Sequence, residues 1–110
     1  MPRRYDLFIK DIISSICKIR EYIEDMSLDD FSQDQKTVDA VLRNLEIIGE
    51  AASKIPDEII KQEADIPWKQ VKNFRNIVAH KYWEIDFDMV WEIITDELKP
   101  LKEACERLLN

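Results

Sequence analysis

The chain has 110 residues, 45% hydrophobic and 35% charged, enough for one buried core and too few for two ordinary domains, so residues 1–110 are taken as a single domain. One glycine leaves little material for the turns of an all-β protein and points to helices. The formal charge of -7 opposes indiscriminate binding to nucleic acid, so any such contact must be local.

From Tyr5 to Met26, Phe8, Ile12, Ile16, Ile19 and Ile23 recur at steps of four and three, the signature of a long amphipathic helix. Asp6 and Lys10 interrupt the N-terminus before a signal-peptide core could form. No apolar run approaches the roughly 20 residues that cross a bilayer, so a cytoplasmic protein without membrane attachment is expected. Ser27 to Phe31 reads as a short acidic connection, and Ser32 with Gln35 has the form of a capping box opening a second helix. That helix carries Val38, Val41, Leu45, Ile48, Ala52 and Ile55 inward and stops at Pro56. Pro67 opens a third, Ile66 to His80, with Val71, Phe74 and Val78 on its inner side. Asp86 or Asp88 caps the last helix, whose inner stripe is Val90, Ile94, Leu98, Leu101, Cys105 and Leu108, and Pro100 should bend it. The expected fold is an all-α bundle of four to five helices.

Cys17 and Cys105 lack the close spacing of a zinc or redox site and read as buried free thiols. Trp68, Trp83 and Trp91 read as core or interface anchors, and Gly49, inside a helix, as a point of close helix approach.

Chemistry concentrates between Ile66 and Trp83. Acids outnumber bases 23 to 16 in the whole chain, yet this stretch has no acid and holds Lys69, Lys72, Arg75, His80 and Lys81. Lys69, Lys72 and Arg75, three apart, form a drifting stripe that could hold phosphates or merely offset neighbouring carboxylates. The only histidine, His80, lies in this island five residues after Arg75 and two before Tyr82. On one ideal helix Arg75 and His80 stand about 140° apart. They form a site only if the helix ends or bends near His80, or if two copies of the chain pool their residues. Cleavage of RNA by its own 2′-hydroxyl needs a proton acceptor, a proton donor and a cation for the phosphorane. Two His80 and two Arg75 supply these. No carboxylate pair beside a histidine suggests a metal site and no glycine-rich loop a nucleotide cofactor, so neither metal nor cofactor is called for.

The segment RNIVAHKYWEID, Arg75 to Asp86, resembles the signature of the HEPN superfamily: an arginine, a polar residue (Asn76), a spacer and a histidine. Lys81-Tyr82 completes the H-x-Y extension of its HepT-like branch. RNLEIIGEAASKIP, Arg43 to Pro56, resembles that branch's second helix. The resemblance implies a symmetric homodimer with the two motifs facing one another in a cleft, and a metal-independent endoribonuclease acting as the toxin of a type VII-like toxin–antitoxin pair. It implies His80 as acid–base group, Arg75 as phosphate stabiliser, Asn76 as a phosphate contact, and Glu50 in the same cleft. Lys69 and Lys72 join them as candidate substrate contacts from the basic island. The implied partner is a small nucleotidyltransferase antitoxin that adenylylates Tyr82, placing bulk and negative charge beside the cleft and blocking RNA. A second reading also fits the chain: a non-catalytic helical module that binds such a nucleotidyltransferase, and perhaps a nucleotide, and cleaves nothing.

Overall fold

The computed structural model describes residues 4–79 and 85–110, with the side chains of Val78 and Ala79 outside that description. Helix α1, Tyr5–Tyr22, lies along α3, Gln35–Ser53, and the seam between them is the centre of the protein. Ile9, Ile12, Ile16 and Ile19 of α1 and Val38, Val41, Leu42, Leu45, Ile48 and Ala52 of α3 are essentially without solvent contact. The three-four spacing puts each set on one helix face, and burying those faces against each other drives the association. Ile9 rather than Phe8 begins the buried stripe of α1, and Phe8 stands half-buried at its edge.

Between α1 and α3 the structure corrects the expected connection. Asp25 takes a left-handed φ of 64°, a conformation Asp tolerates better than most residues, in a chain with almost no glycine to spend there. Leu28–Gln33 is itself a helix, α2, and the capping box belongs to it: Asp30 N–H donates to Ser27 Oγ at 3.1 Å and Ser27 N–H to Asp30 Oδ2 at 3.0 Å. The cap of α3 is Asp34, which accepts from Thr37 N–H at 3.2 Å. Ser32 instead donates to the Asp29 carbonyl. One turn of α2 buries Phe31 completely, 5.4 Å from the ring of Trp91 and 6.2 Å, edge-on, from that of Phe87.

After Pro56 the chain makes a short helix α4, Asp57–Ile60, and a 3₁₀ turn, Lys61–Glu63, both too short to show a periodicity in the sequence. The expected single helix from Ile66 is two: α5, Trp68–Lys72, and α6, Phe74–Ala79, separated at Asn73. Trp68, Val71 and Phe74 enter the core as expected, and the Trp68 indole N–H donates to the Glu63 carbonyl at 3.0 Å. Asp86 caps α7, Phe87–Glu92, accepting from Met89 N–H at 3.1 Å. The path runs through a π-helical turn, Ile93–Glu97, into α8, Leu98–Leu109. The irregularity expected at Pro100 thus falls just upstream of it. The proline ring crowds the Asp96 carbonyl four residues back and leaves it no N–H, and a widened turn accommodates both. Helix α8 packs on α1, and Arg107 near its end grips Glu63 with Nη2–Oε1 at 2.7 Å and Nε–Oε2 at 3.1 Å.

The cysteines differ from each other. Cys105 is buried, and burial, reinforced by Glu106 and then Glu63, pushes its thiol up to about 12. Cys17 is free but exposed, one position off the buried stripe, which corrects the expectation that both thiols are inside. No strand occurs among the described residues, and no helix among them is long and apolar enough to cross a membrane.

Candidate functional site: a cleft between three helices

Helices α5 and α6 lean on the outer side of α3, and Gly49 is where they touch. A Cβ at position 49 would stand 2.7 Å from the Arg75 backbone nitrogen, 3.0 Å from the Lys72 carbonyl oxygen and 3.3 Å from the Arg75 Cβ. No side chain fits there, so the glycine allows the first turn of α6 to rest directly on the backbone of α3. The chain also breaks at this point. Asn73 N–H is shared between the Lys69 and Gln70 carbonyls, its own carbonyl accepts from Asn76 N–H at 2.9 Å, and its side-chain oxygen accepts from the Asn76 amide.

The break and the close approach together aim Arg75 into a cleft of about 540 Å³ lined by α1, α3 and α6. Its Nη1 stands 3.3 Å from Glu50 Oε2 and 3.5 Å from Ser53 Oγ. Lys54 Nζ holds the other Glu50 oxygen at 3.7 Å. Roughly half the Arg75 and Glu50 side chains is exposed, 46% and 54%, so the pair contributes at most about 1 kcal/mol and yields readily to a competing anion.

Of the residues singled out in the sequence, Arg75, Asn76 and Glu50 line this one cleft. Lys72 leans away, its Nζ 3.6 Å from Asp57 Oδ1, and Lys69 lines a separate opening with Pro67, Gln70 and Asn73. The break at Asn73 divides what one continuous helix would present as a stripe. His80 and Tyr82, with Lys81 and Trp83, lie outside the described residues.

The cleft also holds residues that the motif did not indicate. Arg43, Glu46 and Ile47 come from α3, Phe8 and Asp11 from α1. Arg43, Glu46, Ile47 and Glu50 follow the i, i+3, i+4, i+7 spacing of one helix face, a signal that was present in the sequence. Phe8 and Asp11 join them only because α1 packs on α3.

Fold and site together define an all-helical bundle with an arginine-bearing polar cleft beside its longest helix. The family model "Ribonuclease HepT-like" matches residues 12–108, and the chain belongs to this HepT-like ribonuclease family. A Thermococcus cleftensis protein named "Probable ribonuclease HepT" is 33% identical over 98% of each chain. A Methanocaldococcus jannaschii protein named "Putative RNase" is 34% identical over 89% of this chain and 82% of its own length. A Caldanaerobacter subterraneus protein with the same kind of name is 30% identical over 99% of this chain and 95% of its own. No solved structure matches.

Proposed function

We propose that the protein is a metal-independent endoribonuclease, the toxin of a toxin–antitoxin pair, acting in the cytoplasm as a symmetric homodimer whose two clefts meet. The observation that carries this reading is the contact at Gly49, which sets Arg75 and Asn76 at the mouth of a cleft large enough for a nucleotide. In the reaction one His80 takes the proton of the RNA 2′-hydroxyl as its oxygen bonds to phosphorus. The other His80 protonates the departing 5′-oxygen as the P–O5′ bond breaks, leaving a 2′,3′-cyclic phosphate. Arg75 leaves Glu50 for the phosphate and stabilises the phosphorane charge, with Asn76 beside it. A small nucleotidyltransferase partner adenylylates Tyr82, and the added nucleotide excludes RNA by bulk and charge.

The test is cleavage of end-labelled RNA in EDTA by wild type, His80→Ala and Arg75→Ala, each shown to be folded and of equal oligomeric state. Wild type is expected to cleave and each variant to lose on the order of 10²–10⁴-fold in rate. Wild type that stays inactive after removal of any group on Tyr82, while still binding a nucleotidyltransferase, would return the protein to the non-catalytic partner reading.

A further inference from the structure

Arg75 is laid along the end of α3, and one of the residues that hold it has no part in the chemistry above. Its backbone nitrogen and Cβ lie against the bare backbone at Gly49, so packing fixes the root of the side chain. Its tip reaches the last residue of the helix: Nη1 stands 3.3 Å from Glu50 Oε2 and 3.5 Å from Ser53 Oγ. From position 49 to position 53 the helix rises about 6 Å, a span that an extended arginine covers. Both hydrogen bonds use Nη1, so neither engages the Nε–Nη2 edge, the fork that takes two phosphate oxygens.

The two acceptors on Nη1 differ in kind. Glu50 is charged and lines the cleft, so a phosphate competes with it for the same cation. Once displaced it keeps a partner, because Lys54 Nζ stands 3.7 Å from its other oxygen. Ser53 is neutral, and its hydroxyl already donates to the Glu50 carbonyl at 2.6 Å within α3. Its proton is therefore committed, and toward Arg75 its oxygen can only accept. A phosphate gains nothing by displacing an uncharged acceptor. Ser53 is also absent from the residues that line the cleft, so it reaches the substrate only through Arg75.

We infer that Ser53 is a positioning residue for Arg75: its hydroxyl keeps Nη1 in place when a phosphate displaces Glu50, so that the Nε–Nη2 edge stays turned to the reacting phosphate. This assignment rests on the ribonuclease reading above. Without the hydroxyl, the guanidinium is tethered in the reaction only at its root, and its rotamer freedom returns. Its charge still attracts RNA, which spares KM, whereas stabilising the phosphorane depends on aim, so the loss falls on kcat. The experiment measures kcat and KM on end-labelled RNA in EDTA for wild type, Ser53→Ala and Ser53→Thr. Ser53→Ala is then repeated in an Arg75→Ala background, under single turnover with excess enzyme. Equal helicity and oligomeric state are checked first, and alanine, the better helix former, should not loosen α3. Ser53→Ala should lower kcat about ten-fold with KM changed less than about two-fold, and Ser53→Thr, which restores the hydroxyl, should recover most of the loss. In the Arg75→Ala background the same change should cost less than about two-fold, because its target is gone. Wild-type kcat in Ser53→Ala, or an undiminished loss without Arg75, overturns the role of Ser53 and leaves the ribonuclease reading intact. If Arg75→Ala cleaves below detection, the threonine variant decides: recovery supports the assignment and an unrecovered kcat overturns it. Wild type that cuts no RNA overturns the ribonuclease reading and this role with it.

Discussion

Helix α3 and the α5–α6 segment meet at Gly49 but owe their order to different things. Helix α3 has 19 residues, a side-chain cap at Asp34 and a continuous buried stripe from Val38 to Ala52, so its own sequence specifies it. Helix α5 has five residues and the described part of α6 six, stretches too short to persist alone in water. They hold because Trp68, Val71 and Phe74 are inserted in the core and because their backbone rests on α3. The site residues Arg75 and Asn76 sit on the dependent element. Precision at the cleft is therefore borrowed from the long helix, and a change at the point where α6 rests on α3 reaches the site without touching Arg75.

Three changes probe that difference. The largest effect on stability is expected from Ile48→Ala, which leaves a cavity at a fully buried position of α3 and should cost about 2–5 kcal/mol by chemical denaturation. Cleavage per folded molecule should stay near wild type, because the α3 backbone under α6 is unchanged. Gly49→Ala separates the two regions more sharply. Its methyl must push α6 off α3, at about 1–3 kcal/mol, against about 1 kcal/mol regained in helix propensity. Net stability should fall by no more than about 2 kcal/mol, while cleavage measured well below Tm falls roughly 10²-fold as Arg75 shifts. A Gly49→Ala protein with wild-type cleavage would show that the close approach does not position Arg75.

The smallest effect lies away from the cleft. The Arg107 guanidinium holds the Glu63 carboxyl below its ordinary 4.5, mainly by hydrogen bonding. A depressed carboxyl stabilises the fold above its ordinary value, and that contribution is lost as pH falls through the lowered one. Arg107→Ala should therefore narrow the gap between Tm at neutral pH and Tm below pH 4.5, with little change in cleavage. An unchanged gap would mean that the exposed bridge does not couple folding to pH.

Much of the core could be read directly. Ile12, Ile16 and Ile19, the α3 stripe, and Val90, Ile94, Leu98, Leu101 and Cys105 are all buried where periodicity put them. Short elements were harder. A single turn such as α2 or α4 has no repeat to detect, and the Ser32-Gln35 pattern reads as a cap whereas the capping box forms at Ser27-Asp30, in what reads as a connection. Cys17 was misplaced because an isolated cysteine carries no phase, whereas Cys105 fell on a stripe of leucines.

The sequence by itself determined the helical class, the buried stripes of α1 and α3, and the family, because these rest on periodicity and on motifs contiguous in the chain. Only the tertiary structure decided that Arg75 and Asn76 face Glu50, that Lys69 and Lys72 point elsewhere, and that Arg43 and Phe8 share the cleft. The reason is geometric. One turn of helix, broken at Asn73 and seated on the bare backbone of Gly49, sets the direction of Arg75, and no local spacing encodes where that turn comes to rest.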